Sequence, residues 1–367
     1  MSILIFFIVL FVLILVHEFG HFIAAKKFGI RVDEFGIGFP PKAVGKKFGE
    51  TEYTLNWLPI GGFVRIFGEN PNEESLTGPD SARSFVHKPK WQQAVVLVAG
   101  VTFNVLFAWL LFVGAFMIGM PTAIDESEME KVSDPKLLIL QVIPDSPAEE
   151  AGLKGSDQIL GLRNEAGEEI IGLTPESVST FISEHGEQKL TFTVERAQED
   201  YEIVLVPETG VIEEDPERAA AGFTMSLAGI LVLPPHEALI QGTKTTYDML
   251  LTTAQGIGGF FYQAFTFQAD LSQVAGPVGI VGLVGDASAL GFAYLVTFTA
   301  FISLNLAVIN MLPFPALDGG RLLFVVIEKI KGSPIRPQIA NTVNLVGFVI
   351  LILLMVVVTY SDIMKLL

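Results

Sequence analysis

The sequence predicts a polytopic α-helical membrane protein, with about four transmembrane helices, that also carries a small membrane-associated β element and an inserted α+β domain. Of its 367 residues, 50% are hydrophobic and only 17% are charged, a more apolar balance than soluble proteins have. Four apolar stretches are each long enough to cross about 30 Å of hydrocarbon. They are residues 3–25, 94–120, 292–311 and 343–360.

The first apolar stretch contains two histidines four residues apart, with an acidic residue beside the first. Residues four apart lie on one face of a helix, so His17 and His21 can offer two imidazole nitrogens to one metal ion, and Glu18 is a candidate base. Such groups are costly in hydrocarbon unless they face a protein interior or a wet cavity. Their position inside an apolar span therefore predicts a functional metal site.

The distribution of charge predicts the topology. The formal net charge is −17, and most acidic residues fall between positions 125 and 217, whereas residues 26–90 and 321–336 carry many Lys and Arg. Positively charged loops stay in the cytoplasm, so both termini and the acidic segment are expected outside. No feature indicates nucleic-acid binding. Because the chain has no cysteine, a transition metal must be held by His, Asp or Glu.

Residues 30–67 change from an apolar helical pattern to short β-like runs. The runs at residues 51–57 and 62–66 are separated by proline and glycine, which predicts a small sheet near the first span. An open strand edge is tolerated at membrane depth where it lines a cavity, so this sheet could offer its edge to an extended polypeptide. A cytosolic hairpin with no such role fits the residues equally well.

Residues 135–207 read as an independent soluble domain. Strands are predicted at 137–143, 158–162, 189–194 and 201–206, and a helix from Thr174, as N-cap, to Glu184. The run from Val142 to Leu160 resembles the PDZ domains of bacterial membrane-associated proteases, although Ser156 stands where those domains have glycine. The resemblance implies binding of an extended segment by strand addition, as a sensor or filter. The alternative is a domain that only packs against its own chain.

The remaining segments complete the predicted organisation. Residues 236–265 have the spacing of an amphipathic surface helix, and residues 276–280 predict a turn before the third span. We therefore expect an N-terminal membrane part, the PDZ-like domain, a surface helix with a Gly-Pro loop, and a C-terminal membrane part. Their boundaries are residues 1–120, 121–215, 216–290 and 291–367.

A catalytic zinc site needs a third protein ligand. Asp318 is the favoured candidate because it lies near the end of the run from Asn310 to Gly320, in which two prolines and two glycines interrupt a membrane helix. Backbone groups freed in this way are tolerated only where protein or water satisfies them. The alternative third ligands, all in the loop after the first span, are Glu34, Glu50 and Glu52.

Together these motifs resemble the site-2 protease family of zinc intramembrane metalloproteases. The resemblance rests on His17-Glu18-x-x-His21 together with Asn310-x-x-Pro-x-Pro-x-Leu-Asp318-Gly. Within the family, the sequence is similar to the bacterial branch that includes the regulator-of-sigma-E protease. Further counterparts are residues 35–41, 61–65 and 276–280, and Gly100 with Asn104. The resemblance implies that His17, His21 and Asp318 bind Zn²⁺, that Glu18 is the general base, and that Asn310 contacts the substrate backbone.

The resemblance also implies a function. The protein is expected to hydrolyse transmembrane segments of single-span proteins, such as an anti-sigma factor, within the bacterial inner membrane. Its active site would lie towards the cytoplasm, with the PDZ-like domain outside. Two alternatives remain: a non-catalytic scaffold that binds partners through the PDZ-like domain, and a membrane metalloprotease that degrades signal-peptide remnants. The sequence does not fix the oligomeric state.

Overall fold

The computed structural model describes residues 1–70, 73–124, 132–196, 199–212, 215–266, 268 and 274–366. The first acidic residues of the segment predicted to lie outside, at positions 125–131, fall outside the described residues. The chain forms two compact units. The membrane unit comprises Met1–Met117 and Pro234–Leu367, and the inserted unit comprises Ile118–Leu233.

Four helices of the membrane unit have the length and composition needed to span a bilayer, counted over the described residues. They are α1 (Ser2–Lys27), α3 (Lys90–Ile118), α8 (Phe292–Met311) and α10 (Pro337–Leu366). Each begins or ends within a few residues of an apolar stretch predicted from sequence, except that α10 starts earlier, at Pro337. The chain is an integral membrane protein.

Further helices of the described residues lie between these four in the chain. They are α2 (Glu73–Thr77), α6 (Pro235–Phe265), α7 (Pro277–Leu290) and α9 (Asp318–Lys331). The amphipathic helix predicted at 236–265 is α6. Residues 277–280, predicted as part of a turn, instead start α7. Pro277 suits the first helical turn, and the Asp362 carboxylate accepts hydrogen bonds from the amides of Gly276 and Gly279, at 3.1 and 2.8 Å.

The predicted β element is one long antiparallel hairpin, formed by β1 (Val32–Phe48) and β2 (Thr51–Ile66), rather than separate short strands. The hairpin folds back on itself. Residues 32–37 pair with 62–66 on one side and with residues of 52–55 on the other, and β-bulges absorb the changes of register. Residues 62–66 therefore form an outer edge of the sheet, a feature that hydrophobic pattern alone does not reveal.

The inserted unit is a six-stranded antiparallel sheet in the order β3-β8-β4-β5-β6-β7, with two helices. The elements are β3 (Met120–Ile124), β4 (Ser133–Val142), α4 (Pro147–Glu150), β5 (Gln158–Asn164), α5 (Pro175–Glu184), β6 (Leu190–Arg196), β7 (Glu199–Leu205) and β8 (Phe223–Leu231). Its core contains Ile139, Ile159, Val178 and Phe192, each at most 1% exposed.

Two strands of this sheet were not predicted from the sequence. β3 continues directly from the second apolar stretch, and β8 lies beyond Pro207, where the sequence pattern placed the end of the domain. The two pair with each other, from Met120 opposite Leu231 to Ile124 opposite Leu227. The compact unit consequently reaches Leu233, whereas the sequence placed this boundary at residue 215.

In the loop before β5, Ser156 adopts a left-handed backbone conformation, with φ at 73°. The next residue, Asp157, is only 1% exposed, and each of its carboxylate oxygens lies 2.6 Å from a nitrogen of the Arg196 guanidinium. One of these oxygens also accepts a hydrogen bond from the Lys154 amide at 2.9 Å. These bonds hold the loop in a conformation that suits glycine better than serine.

We expect Ser156→Gly to stabilise the inserted unit by about 1 kcal/mol. A left-handed conformation costs an L-residue about 1–2 kcal/mol, which exceeds the roughly 0.4–1 kcal/mol of extra unfolded-state entropy that glycine brings. Hydrogen exchange of the Ile139 amide, which donates to the Asp157 carbonyl at 2.9 Å, measures the gain in the intact protein. Ser156→Ala retains the Cβ and is the control; equal protection in the two variants would contradict the argument.

Candidate metal centre

Three side-chain atoms from distant parts of the chain converge at the inner face of α1. The Nε2 atoms of His17 and His21 lie 3.1 Å apart, and Oδ2 of Asp318 lies 3.0 Å from the first and 3.2 Å from the second. Both histidines are at most 9% exposed. The helical spacing of the two histidines brings their rings together, and the start of α9 supplies the carboxylate.

These separations fit zinc. Bonds of about 2.0–2.1 Å in a tetrahedral arrangement place neighbouring ligand atoms about 3.3 Å apart, close to what the structure shows. Two neutral imidazoles and a carboxylate are also among the ligands that zinc takes in catalytic sites, where three protein ligands leave one position open. The group formed by His17, His21 and Asp318 therefore has the composition and spacing of a catalytic zinc site.

A close crossing of α1 and α3 makes room for the two imidazole rings. A Cβ on Gly20 would lie 2.5 Å from the Ala99 carbonyl oxygen, and a Cβ on Gly100 would collide with the Nε2 atom of His21. A larger residue would have to push the α3 backbone away at the first position and displace the histidine rings at the second. The second glycine thus leaves the space that the metal-facing edge of His21 occupies.

The turn between α8 and α9 sets the position of Asp318. Its prolines, Pro313 and Pro315, end the preceding helix, and Ala316 adopts a left-handed φ of 74°. A Cβ on Gly319 would collide with the carbonyl of Leu312, and one on Gly320 with the carbonyl of Phe314. The two glycines let the chain turn tightly enough to start α9 with its first carboxylate against the histidines.

The far side of each imidazole also has a neighbour on α3. Nδ1 of His21 lies 2.8 Å from the carbonyl oxygen of Val96, so this nitrogen carries the proton and Nε2 is left with its lone pair. Nδ1 of His17 lies 3.4 Å from the amide group of Asn104, which is fully buried. The Val96 contact orients the His21 ring towards Asp318.

Glu18 lies beside the metal group and contacts the β element. Its carboxylate accepts a bond from the Val64 amide, on the outer edge formed by residues 62–66, at 3.0 Å. Two cavities meet here, of about 490 Å³ on the β2 side and about 260 Å³ on the α8 side, and His17, Glu18 and Asp318 line both. Asn310 lines the smaller one, so the structure brings together every site residue named from the sequence.

Comparison with known proteins identifies the family. Residues 5–354 match the model of peptidase family M50. The chain belongs to family M50, the site-2 proteases.

Several M50 relatives cover nearly the whole chain. The zinc metalloprotease RasP of Geobacillus kaustophilus is 29% identical over 99% of this chain and 98% of its own. The regulator of sigma-W protease RasP of Bacillus subtilis is also 29% identical, over 98% of each chain. A Clostridium perfringens relative is 35% identical over 96% of this chain and 95% of its own. The chain is therefore a zinc metalloendopeptidase of the site-2 protease type, with Zn²⁺ as its cofactor.

The alternative third ligands have other partners in this M50 peptidase. Glu34 pairs with Arg65 at 3.0 Å, Glu52 pairs with Lys42, and Glu50 lies 2.5 Å from both Lys26 and Arg83. The hydrogen bond from Lys26 is the main reason that the pKa of Glu50 lies below its usual value. Among the described residues, these three carboxylates do not belong to the group with His17 and His21.

Among the described residues, the remaining histidines do not belong to the metal group. His87 and His236 are exposed, and the ring of His185 packs on Phe181 in the inserted unit, with centroids 4.3 Å apart. Asn104 and Asn305 are both amide residues within apolar helices, α3 and α8. The structure separates them, because Asn305 donates to Phe301 of its own helix at 2.9 Å, whereas Asn104 contacts His17.

We expect Asp318→Ala to lose most of the bound zinc, because two imidazoles alone do not hold it firmly. Metal analysis of the purified, detergent-solubilised protein after dialysis against a weak chelator measures the loss. Glu34→Ala is the matched control and should keep about one zinc per chain, since Glu34 pairs with Arg65 instead. Full zinc in the first variant and loss in the second would move the third ligand to Glu34.

Proposed function

We propose that this M50 peptidase is an intramembrane endopeptidase that cuts the transmembrane segments of single-span membrane proteins. One observation carries the proposal: His17, Glu18 and His21 lie on α1, a helix of span length and high hydropathy, and Asp318 meets the two histidines there from the start of α9. Ionisable side chains are costly inside a membrane-spanning helix, so their presence there indicates that the reaction takes place within the membrane.

In this proposal, His17, His21 and Asp318 hold the zinc and Glu18 moves the proton. Bound zinc supplies a Lewis acid that polarises the peptide carbonyl and makes water a nucleophile near neutral pH. The Glu18 carboxylate accepts the proton of the attacking water and returns it to the leaving amine. The bond from the Val64 amide orients this carboxylate.

Two features support a place for the substrate backbone beside the metal group. The side chain of Asn310 lines the smaller cavity with His17 and Asp318, where an amide can bond a peptide carbonyl or N–H. The edge formed by residues 62–66 borders the larger cavity, and an extended segment could add to it as a further strand. This arrangement favours the edge-binding interpretation over a hairpin without a role.

Charge supports the orientation. The segment between α1 and α3 and the end of α9 are rich in Lys and Arg, which places them in the cytoplasm by the positive-inside rule. The inserted unit then lies outside, and the active site lies towards the cytoplasmic side of a bacterial inner membrane. The name of the Bacillus subtilis relative, regulator of sigma-W protease, supports a membrane-bound regulator, such as an anti-sigma factor, as the substrate.

The inserted unit supports a filtering role more than a recruiting one. A PDZ-like domain recruits an extended peptide by adding it to an open strand edge. Here β3 already covers β8 from Leu227 to Leu231, and among the described residues only Phe223 to Ser226 remain without a β3 partner. The outer strands are then β3, which has only five residues and contains Pro121, and β7, which carries three acidic residues. Short length, proline and charge all discourage the pairing of a further strand.

The alternatives differ in what they leave unexplained. A scaffold would need neither the zinc ligands nor an acidic residue beside them. A peptidase for signal-peptide remnants would use the same chemistry on shorter substrates, so only substrate length separates it from the proposal. Both can be tested in one cleavage assay.

We expect Glu18→Gln to bind zinc normally but to cut an intact single-span substrate about 10²- to 10⁴-fold more slowly, because the amide cannot take the proton. Cleavage in detergent and zinc content are measured together. Glu34→Gln is the control and should cut at the wild-type rate. Near wild-type cleavage by the Glu18 variant would remove its role as base.

The same assay separates substrate classes. The wild-type protein should cut a full-length single-span protein and a peptide that holds only its transmembrane segment. Cleavage confined to the short peptide would favour the remnant-degrading alternative, and zinc binding without cleavage of either would favour the scaffold.

A deletion tests the inserted unit. Replacing residues 125–226 with a short Gly-Ser turn keeps the five residues of β3 paired with Leu227–Leu231. We expect this variant to cut substrates that retain a folded extracellular domain, which the wild-type protein rejects, while truncated substrates are cut as before. Loss of cleavage of truncated substrates by a zinc-loaded variant would instead make the unit a recruiting domain.

A further inference from the structure

The polar groups around His17 present a mismatch of hydrogen-bond donors. Nε2 of His17 faces Asp318 and the metal position, so in a neutral imidazole its Nδ1 atom carries the proton. The group 3.4 Å from Nδ1 is the amide nitrogen of Asn104, which is itself a donor. Two donors facing each other form no hydrogen bond.

The amide of Asn104 resolves the conflict if its two ends exchange places. Nitrogen and oxygen of an asparagine side chain are assigned from the hydrogen-bond network, since the two ends of the amide have nearly the same shape. The Oδ1 atom of Asn104 is buried and has no partner among the described residues. In the exchanged orientation this oxygen accepts the Nδ1–H proton of His17, and the NH₂ group takes the place that the oxygen leaves.

We propose that Asn104 is a positioning residue of the zinc site: its side-chain oxygen accepts from Nδ1–H of His17 and fixes the tautomer that leaves Nε2 free for the metal. The inference rests on the proposed ligand role of His17. The Asn104 oxygen then accepts the Nδ1–H proton of His17 as the Val96 carbonyl accepts that of His21, at 2.8 Å.

The sequence of α3 supports this arrangement. Val96, Gly100 and Asn104 are spaced four residues apart and so lie on one face of the helix. The first bonds His21, the second leaves room for its Nε2 atom, and the third contacts His17. One face of α3 thus carries two acceptors, one for each histidine, separated by a glycine.

A different contact already joins α3 to α8 at this level. The hydroxyl of Ser303, which is fully buried, donates to the backbone carbonyl of Asn104 at 2.8 Å. This interhelical bond does not involve the amide side chain. Replacing that side chain therefore removes the contact with His17 and keeps the bond between the helices, so the two roles can be separated by mutation.

The test measures zinc affinity by competition with a chromophoric chelator, in the full-length protein in detergent. Asn104→Leu should weaken zinc binding about 10- to 100-fold, the usual effect of losing an outer partner of a metal-binding histidine. Asn104→Asp, which has the same shape and can only accept, should bind zinc about as well as the wild type. An unchanged affinity in the leucine variant, or an equal loss in the aspartate variant, overturns the proposal.

Two further variants make the outcome specific. Ser303→Ala removes the interhelical bond and should lower the melting temperature of the zinc-free protein without changing zinc affinity. If its zinc affinity instead falls as far as that of Asn104→Leu, the effect comes from helix packing and the proposal is overturned. His17→Ala tests the ligand assignment itself. If it binds zinc normally, that assignment fails, whereas zinc loss in His17→Ala with none in Asn104→Leu overturns the positioning role alone.

Discussion

The close crossing of α1 and α3 is the contact on which the site depends. Gly20 and Gly100 let the two helices approach until the backbone of α3 touches the face of α1 that carries the histidines. At that distance α3 can offer the Val96 carbonyl to His21. In an apolar setting, polar rings with no partner would destabilise the helix pair.

The metal group also determines how the later helices are arranged. Asp318 must reach the histidines from the start of α9, and the tight turn that precedes it needs two prolines to stop α8 and two glycines to pass close to its carbonyls. An ion pair between Arg321 and Glu69, each less than a third exposed, joins α9 to the segment after β2. The same segment borders the larger cavity, so this ion pair connects the helix that begins at Asp318 with the segment that follows the sheet edge.

The sequence by itself determined the chemistry and the main helices. Helical spacing placed His17, Glu18 and His21 together, length and composition marked the four long helices, and the Asp318 motif stood out because prolines and glycines interrupt an apolar run. These signals are local, and they were sufficient to indicate the family that the comparisons then showed.

The tertiary structure decided what local signals cannot encode. Asp318 was one of four possible third ligands until the fold placed it 3.0 Å from His17, some 301 residues away in the chain. The edge formed by residues 62–66, the β3–β8 pairing and the start of α7 each depend on a partner segment remote in sequence. Asn104 and Asn305 look alike in sequence, and only the packing of α3 against α1 gives the first a contact with the His17 ring.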